Sequence, residues 1–290
     1  MDLAEMNPVD KTIKMAAGDH LSKLEKMFCA DLLFFYGEIH PNCFSYYRKC
    51  IYDLAQDKEK KEKLVIFLNT PGGSVETVDR FVGVNRNMYS EVYFVIPDWA
   101  MSAGTVFCMS GDRIYMEPSS ALGPIDPQIY NEKQYVPALG YLDKIKEYIQ
   151  KVEQGIPLNA VDIFFLQRQD IAFLQKCEQQ CALTETLIEK WLTEYKFKDW
   201  TVHSDTNESV TLDEKRNKAK EIAKNLGNSQ EWLSHGRCIT MDRLESMGLK
   251  IDDYTKDTKL AFAIREYSDL LTSYIMSRNI QFFLHSRLYF

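Results

Sequence analysis

Four apolar runs in the first half of the chain alternate with segments of helical periodicity, and this alternation restricts the possible folds more than any other feature. The runs lie at 32–39, 64–70, 91–97 and 113–118, with short connections between them. Strands separated by single helices pair in parallel, through right-handed crossovers. Because the runs are continuously apolar, both faces of each strand should be covered. The sequence therefore predicts an α/β fold of order β-α-β-α-β-α-β around a mainly parallel sheet.

The remainder of the chain is predicted to be mostly helical. We expect a helical lead-in at 1–30 and a main domain at 31–255, which contains a helical insertion at about 136–227. An amphipathic C-terminal tail should follow at 256–290, where apolar residues recur at helical spacing. The stretch 158–195 is too long for an ordinary single helix, so we expect an arm that packs on another subunit or on its own domain.

Composition argues against several classes of function. The net charge of -7 gives little attraction for phosphate backbones, so we expect no nucleic-acid partner. The seven cysteines are irregularly spaced and form no CxxC pair, which is typical of reduced thiols in a cytoplasmic protein. The N-terminus has no apolar signal-peptide core, and no apolar stretch reaches the roughly 18 residues needed to span a bilayer. We therefore expect a cytoplasmic protein without a membrane span, a metal or a cofactor.

The first candidate functional motif is the glycine-rich turn NTPGGS at 69–74, which joins the second strand to a helix. Its spacing matches neither a P-loop nor a dinucleotide fingerprint, which argues against a nucleotide site of those types. The exposed N–H groups of such a turn could still bind another anion at the start of the helix. Alternatively, the glycines serve only a tight turn that requires positive φ.

A second candidate motif, MSAGT at 101–105, follows the third strand about thirty residues later. Ser102 begins a short helix, which presents its hydroxyl at the sheet edge and leaves the N–H of Ala103 free. The alternative role for this serine is a simple N-cap. Because both turns follow parallel strands, they should lie side by side. Together they predict an oxyanion hole, with donors at Gly72, Gly73 and Ala103, next to a serine nucleophile.

These motifs resemble the ClpP/crotonase fold and, within it, the serine dehydrogenase proteinase family, which is related to SppA and NfeD-type serine proteases. The resemblance rests on FLNTPGGSV, AMSAGT and SSALGPIDPQ, and it covers 32–128 well and 234–253 loosely. It implies a spiral of β-β-α units with a mainly parallel sheet, a helical insertion and a helical C-terminal tail. It also implies an ATP-independent serine peptidase, in which Ser102 is the nucleophile and Gly73 and Ala103 hold the oxyanion.

The resemblance leaves the general base open. ClpP has a histidine where this chain reads GPIDPQ, whereas no histidine occurs here between His40 and His203. SppA and NfeD-type enzymes use a lysine further along the chain, and this pattern points to Lys144, with Lys146 and Lys151 in the same window. A lysine can act as a base only when burial or a neighbouring cation lowers its pKa, and a solvated helix lysine would not serve.

Two further residues are candidates for the site. His235, in WLSHGR, lies in the late segment where ClpP carries its triad acid. It is therefore the alternative base to Lys144, unless it is a core or capping histidine. Asp126, in GPIDPQ, lies at about the position of the ClpP histidine. It could orient a base or contribute with Ser74 to substrate binding, or it could be a turn residue between two prolines.

Three functions remain open from the sequence. The leading prediction is a serine peptidase that binds a peptide or protein substrate as an added strand after Gly73. The second is a catalytically inactive ClpP-like scaffold that binds peptides. The third is a crotonase-type acyl-CoA enzyme, which would use the same two N–H groups to hold an enolate. The family resemblance further implies a homo-oligomer, and any activator or unfoldase would be a separate protein.

Overall fold

A computed structural model of the chain describes residues 7–131, 133–203 and 207–290. Its helices are α1 (Pro8–Phe28), α2 (Phe44–Gln56), α3 (Val75–Met88), α4 (Ala103–Cys108), α5 (Ala138–Glu153), α6 (Ala160–Gln167), α7 (Ile171–Trp191), α8 (Leu212–Leu226), α9 (Ser229–Trp232), α10 (Met241–Ser246) and α11 (Thr258–Ser277). Its strands are β1 (Asp31–Gly37), β2 (Lys63–Asn69), β3 (Glu91–Ile96), β4 (Trp99–Ala100), β5 (Arg113–Met116), β6 (Ala121–Leu122), β7 (Gln128–Tyr130), β8 (Tyr135–Pro137), β9 (Ile239–Thr240), β10 (Asp252–Asp253) and β11 (Phe282–His285). Residues 1–6 of the predicted lead-in lie outside the described residues, and α1 makes up most of the remainder of that segment.

The main sheet has six strands in the order β10-β5-β3-β2-β1-β11. Every neighbouring pair from β10 to β1 is parallel, and β11 pairs antiparallel with β1 at one edge. The central strands are almost completely buried, since helices cover both faces of the sheet. The prediction of an α/β fold with a mainly parallel sheet is confirmed, and the four predicted strands correspond to β1, β2, β3 and β5.

The sheet separates two apolar cores. On one face, α2, α3 and α4 pack through aromatic side chains, with the rings of Tyr47 and Phe81 stacked at 3.8 Å and Phe107 in edge contact with both the stack and the sheet. On the other face, α1 and α11 pack around Phe34 and Tyr267. The turns that follow β2 and β3 are therefore mounted on a rigid, doubly covered framework.

The stretch 158–195 is not one continuous helix. It divides into α6 and α7 at 168–170, where Asp170 caps α7 by accepting a hydrogen bond from the N–H of Ala172 (2.8 Å). No glycine or proline marks this break in the sequence, which explains why the apolar periodicity predicted one long run. At its far end α7 continues into a π-helical turn, Leu192–Lys196. Within the chain, α7 packs against α5 and α8, so this part of the arm lies on its own domain.

The segment predicted as an amphipathic tail contains α11 and β11, and β11 completes the sheet edge beside β1. Just after β11, the guanidinium of Arg287 pairs with three carboxylates, those of Glu25 (2.8 Å), Asp31 (2.8 Å) and Asp57 (3.2 Å). The side chain of Asp31 is fully buried. These ion pairs tie the C-terminus of the chain to α1, β1 and the end of α2.

Replacing Arg287 tests how much this cluster stabilises the sheet edge. We expect Arg287→Gln to lower the free energy of unfolding by about 3 kcal/mol, because Asp31 then stays buried without its cationic partner. The control is Arg278→Gln, which removes an exposed ion pair with Asp10 and should change the free energy by less than about 1 kcal/mol. Chemical denaturation followed by circular dichroism measures both. Equal losses in the two variants would contradict the role assigned to Arg287.

Candidate active site

The turns that follow β2 and β3 lie in direct contact. Thr70 and Ala100 form a parallel bridge, and the N–H of Met101 donates to the carbonyl oxygen of Thr70 (2.9 Å). Gly72 has φ of 107°, and a Cβ placed on it would lie 2.8 Å from the Cβ of Ser102. Glycine is therefore required at this position for two reasons, the left-handed backbone and the close approach of the turn to the serine.

Ser102 has an unusual backbone conformation for a non-glycine residue. Its φ of 52° and ψ of -118° place it outside the ordinary regions of L-residues. It occupies the N-cap position of α4, but its side chain makes no capping hydrogen bond. Its hydroxyl also makes no hydrogen bond to any of the described residues, and its side chain is partly exposed. Strained backbone and an uncommitted hydroxyl are features of a nucleophile at a strand-to-helix turn rather than of an N-cap.

Two backbone N–H groups beside the serine are available as donors. That of Ala103 is the first in α4, so it has no acceptor within the helix. The N–H of Gly73 donates to no residue that the structure describes. Gly73 is bridged to Ile39, but the hydrogen bonds of this bridge are made by the residues next to Gly73, as in the bond from the Ile39 N–H to the carbonyl oxygen of Gly72 (2.7 Å). The N–H of Gly72 instead donates to the hydroxyl of Thr70 (3.1 Å). Of the three predicted oxyanion donors, Gly73 and Ala103 are thus uncommitted.

A cleft of about 780 Å³ opens over these two turns. Gly73, Ser74, Ser102 and Ala103 line it, together with residues of β7 and α7. The hydroxyl of Ser74 caps α3, since it accepts a hydrogen bond from the N–H of Thr77 (3.0 Å) and donates to the Glu76 carboxylate (2.9 Å). The cleft has the volume of an ordinary ligand site, and its lining includes the backbone N–H groups of Gly73 and Ala103, which have no acceptor among the described residues.

A hydrogen-bonded acid and histidine lie at this cleft. Nδ1 of His235 lies 2.7 Å from Oδ1 of Asp126, and the amide of Gln128 donates to the other carboxylate oxygen (2.8 Å). The Asp126 side chain is 4% exposed, whereas His235 is 28% exposed and lines the cleft together with Ser102. An ionised carboxylate can only accept, so with Asp126 ionised Nδ1 is the donor, and in the neutral imidazole Nε2 is then left as an acceptor.

The pairing of a short two-stranded ladder explains how residues so far apart in the chain meet. β6 and β9 run antiparallel, with Leu122 opposite Ile239. Asp126 lies four residues after Leu122, and His235 lies four residues before Ile239. The same register that closes this small sheet thus places the acid opposite the histidine.

Thr105 is a site residue that the sequence analysis did not single out. Its hydroxyl oxygen lies 2.9 Å from the carbonyl oxygen of Ala100 and 2.8 Å from that of Gly123, and it accepts a hydrogen bond from the N–H of Gly123 (2.9 Å). It therefore connects the serine turn to the segment that carries Asp126. Its place in MSAGT, three residues after the serine, was the available signal.

The candidate lysine bases lie elsewhere. The ammonium of Lys144 is exposed and lies 2.7 Å from the Glu147 carboxylate, and this hydrogen bond raises the pKa of Lys144, whereas a general base needs a lowered pKa. Lys144 lines a separate groove along α5. Lys146 and Lys151 also have carboxylate neighbours on that helix. None of the three lines the cleft that contains the serine.

Among the residues that the structure covers, no group of three His, Cys, Asp or Glu side chains is arranged to hold a metal ion. The same residues include no helix with the length and apolar character needed to cross a membrane. All seven cysteines are free thiols.

A double-mutant cycle tests whether the acid and the histidine interact as the geometry indicates. In the free energy of unfolding, we expect Asp126→Ala and His235→Ala to couple by about 1 kcal/mol or more, because the side chain of Asp126 is buried. The matched control is the surface pair His203 and Glu214 at 3.0 Å, whose side chains are 32% and 44% exposed and should couple by less than about 0.5 kcal/mol. Equal coupling in both pairs would contradict a buried contact at Asp126.

The model of a family described as ClpP-like SDH-type serine proteinase matches residues 54–163, which include Ser102 and Asp126 but not His235. Two uncharacterized proteins of Methanocaldococcus jannaschii are similar: MJ0137 is 35% identical over 75 residues, which is 26% of each chain, and MJ1495 is 27% identical over 187 residues, which is 64% of this chain and 51% of that one. The chain thus spans about half or less of the length of these relatives.

Among solved structures, the chain is similar to a mutant of a protein described as the 1510-N membrane-bound stomatin-specific protease. The TM-score is 0.46 at 14% identity, and the match covers 78% of this chain and 81% of that one. The matched family model itself spans the turns at 69–74 and 101–105. Residues 54–163 of the chain thus match the ClpP-like SDH-type serine proteinase family, as the two turn motifs indicated.

Proposed function

We propose that this protein is a serine peptidase that works through an acyl-enzyme, with Ser102 as the nucleophile and His235 as the general base. The observation that carries the proposal is the hydrogen-bonded pair of Asp126 and His235 at the wall of the serine's cleft. A serine, a histidine with a free acceptor nitrogen and a buried orienting carboxylate are the three components of serine-based acyl transfer. Lys144 has no part in this mechanism, because it is paired with Glu147 outside the cleft.

In the proposed reaction, the Ser102 hydroxyl attacks the carbonyl carbon of a peptide bond and passes its proton to Nε2 of His235. Asp126 holds the imidazole in the required tautomer and stabilises the imidazolium. The N–H groups of Gly73 and Ala103 stabilise the tetrahedral oxyanion, with about 3 kcal/mol for each donor. The imidazolium then protonates the leaving amine, and water releases the acyl group by the same route in reverse. The Ser102 hydroxyl and His235 line the same cleft without a hydrogen bond between them, and the proposed mechanism requires that this bond form when substrate is bound.

The proposed positions of acid and base are exchanged relative to ClpP. Asp126 occupies the part of the sequence where ClpP has its histidine, and His235 occupies the late segment where ClpP has its acid. In this chain the hydrogen-bonded pair lies just beyond the ladder between β6 and β9. It accounts for the absence of a histidine shortly after Ser102 without requiring a lysine base.

The proposed substrate is an extended peptide segment. Backbone of the turn after Gly73 and of β7 lines the same cleft, and we propose that an extended peptide pairs with it there. Asp126 and the hydroxyl of Ser74 are occupied by contacts within the chain, so we assign substrate contact at Ser74 to its backbone. The sequence has no P-loop motif, and the proposed reaction uses no ATP.

Labelling with a fluorophosphonate tests the nucleophile and the base together. We expect wild-type protein to be labelled and Ser102→Ala to be unlabelled. His235→Gln should slow labelling by about 100-fold or more, because general-base assistance is lost. The control is Lys144→Met, which should label at the wild-type rate. The labelled peptide, identified by mass spectrometry, should contain Ser102.

Other outcomes of this experiment would favour the alternatives. Undiminished labelling of His235→Gln, with a large loss in Lys144→Met, would restore the lysine as base. Absence of labelling in folded wild-type protein at every pH between about 6 and 9 would favour the inactive scaffold. Saturable binding of an acyl-CoA in calorimetry, together with absent labelling, would favour the crotonase-type enzyme.

We also propose that the chain forms a homo-oligomer through α6. No residue of α6 is buried, although the helix is AVDIFFLQ and its Phe164 and Phe165 are each about half exposed. A helix whose apolar side chains are exposed to solvent in a single chain is typical of a surface that another subunit covers. In light scattering, we expect wild-type protein to exceed the mass of one chain and the double variant Phe164→Ser, Phe165→Ser to have a smaller mass. Wild-type protein that runs as a monomer would contradict this.

A further inference from the structure

A second cleft lies away from the catalytic one, between the π-helical end of α7 and the strands β5 and β10. Its volume is about 1170 Å³, and it shares no lining residue with the catalytic cleft. Five cationic side chains line it, those of Arg113, Lys196, Lys198, Lys218 and Lys250, together with four carboxylates, those of Glu91, Asp112, Asp199 and Asp252. The lining thus has one more cationic than anionic side chain, in a chain whose net charge is -7.

Three of these cations have carboxylate partners. Arg113 pairs with Asp252 (3.3 Å), Lys198 with Asp112 (2.6 Å) and Lys218 with Glu221 (3.0 Å). Asp112 is further neutralised by Arg86 at 2.7 Å. Lys196 and Lys250 form no ion pair or hydrogen bond with any residue that the structure describes. The cleft therefore contains two ammonium groups without a counter-charge in direct contact.

Lys196 has the more unusual position of the two. It lies at the end of the π-helical turn Leu192–Lys196, a local structure that is rare and often found at functional sites. Burial lowers the pKa of Lys196 to about 8, and the charges of Arg113 and Lys250 act in the same direction, while Asp112 and Asp252 oppose it. The amine is thus still a cation at neutral pH. A poorly solvated cation without a partner costs free energy, which a bound anion would offset.

We propose that this cleft binds a small phosphorylated molecule, with its phosphate group between Lys196 and Lys250. A phosphate carries up to two negative charges at neutral pH, which matches the two unpaired ammonium groups. The indole of Trp200 also lines the cleft and supplies an apolar surface for the organic part of the ligand. The volume is sufficient for a ligand as large as a nucleotide. This site is independent of the peptidase mechanism, because it shares no residue with it.

Calorimetric titration with ADP and with inorganic phosphate, at constant ionic strength, tests the proposal. We expect ADP to bind and each of Lys196→Gln and Lys250→Gln to weaken binding at least tenfold. The matched control is Lys58→Gln, an exposed lysine outside the cleft, which should bind as wild type. Without ligand, Lys196→Gln should melt at or above the wild-type temperature, because it removes a poorly solvated charge, so lost binding would not reflect unfolding.

The two probes distinguish the source of the phosphate. Tighter binding of ADP than of phosphate, reduced in Trp200→Ala, would support a ligand with an organic part. Equal affinity for both would support a site for the free ion. Absence of heat with either probe up to about 5 mM, or wild-type affinity in both lysine variants, would overturn the proposal.

Discussion

The hydrogen bond from the N–H of Met101 to the carbonyl oxygen of Thr70 (2.9 Å) extends the parallel pairing of β2 and β3 beyond the ends of both strands. Through it, the two turns are held as one unit with a separation set by the sheet rather than by side chains. Ser102, Gly73 and Ala103 come from different turns, so their mutual geometry depends on this contact. Preorganised donors of this kind can stabilise charge without reorganising when the reaction occurs.

The local part of the site could be predicted from the sequence. The apolar runs identify the strands, their alternation with helices requires parallel pairing, and parallel pairing places both turns at one edge. The roles of the individual glycines were less accessible. Gly72 and Gly73 are adjacent and identical in type, but the hydroxyl of Thr70 occupies the N–H of one and leaves the other uncommitted. That distinction depends on the turn's own hydrogen bonds, which the pattern of residue types does not specify.

The pair formed by Asp126 and His235 could not be chosen from sequence, although both residues were candidates. It depends on the antiparallel register of β6 and β9, and each of these strands is two residues long. Strands this short have no detectable periodicity. Lys144 had a suitable position in the chain, but distance along the chain does not determine which groove a helix faces, and α5 places it beside Glu147. The break at 168–170 was hidden for a similar reason, since Asp170 ends the run without a glycine or proline.

The acid and the histidine are separated by 109 positions, and nearly the whole helical region folds between them. The N–H of Ile125, next to the acid, donates to the carbonyl oxygen of Leu226 at the end of α8 (3.1 Å), so the position of the acid depends on the docking of that region. Under the proposed mechanism, a partly folded chain would have its nucleophile and oxyanion donors but would lack a proton acceptor. Such an intermediate would be inert toward other unfolded chains during synthesis, so completion of the fold would itself act as the activation step.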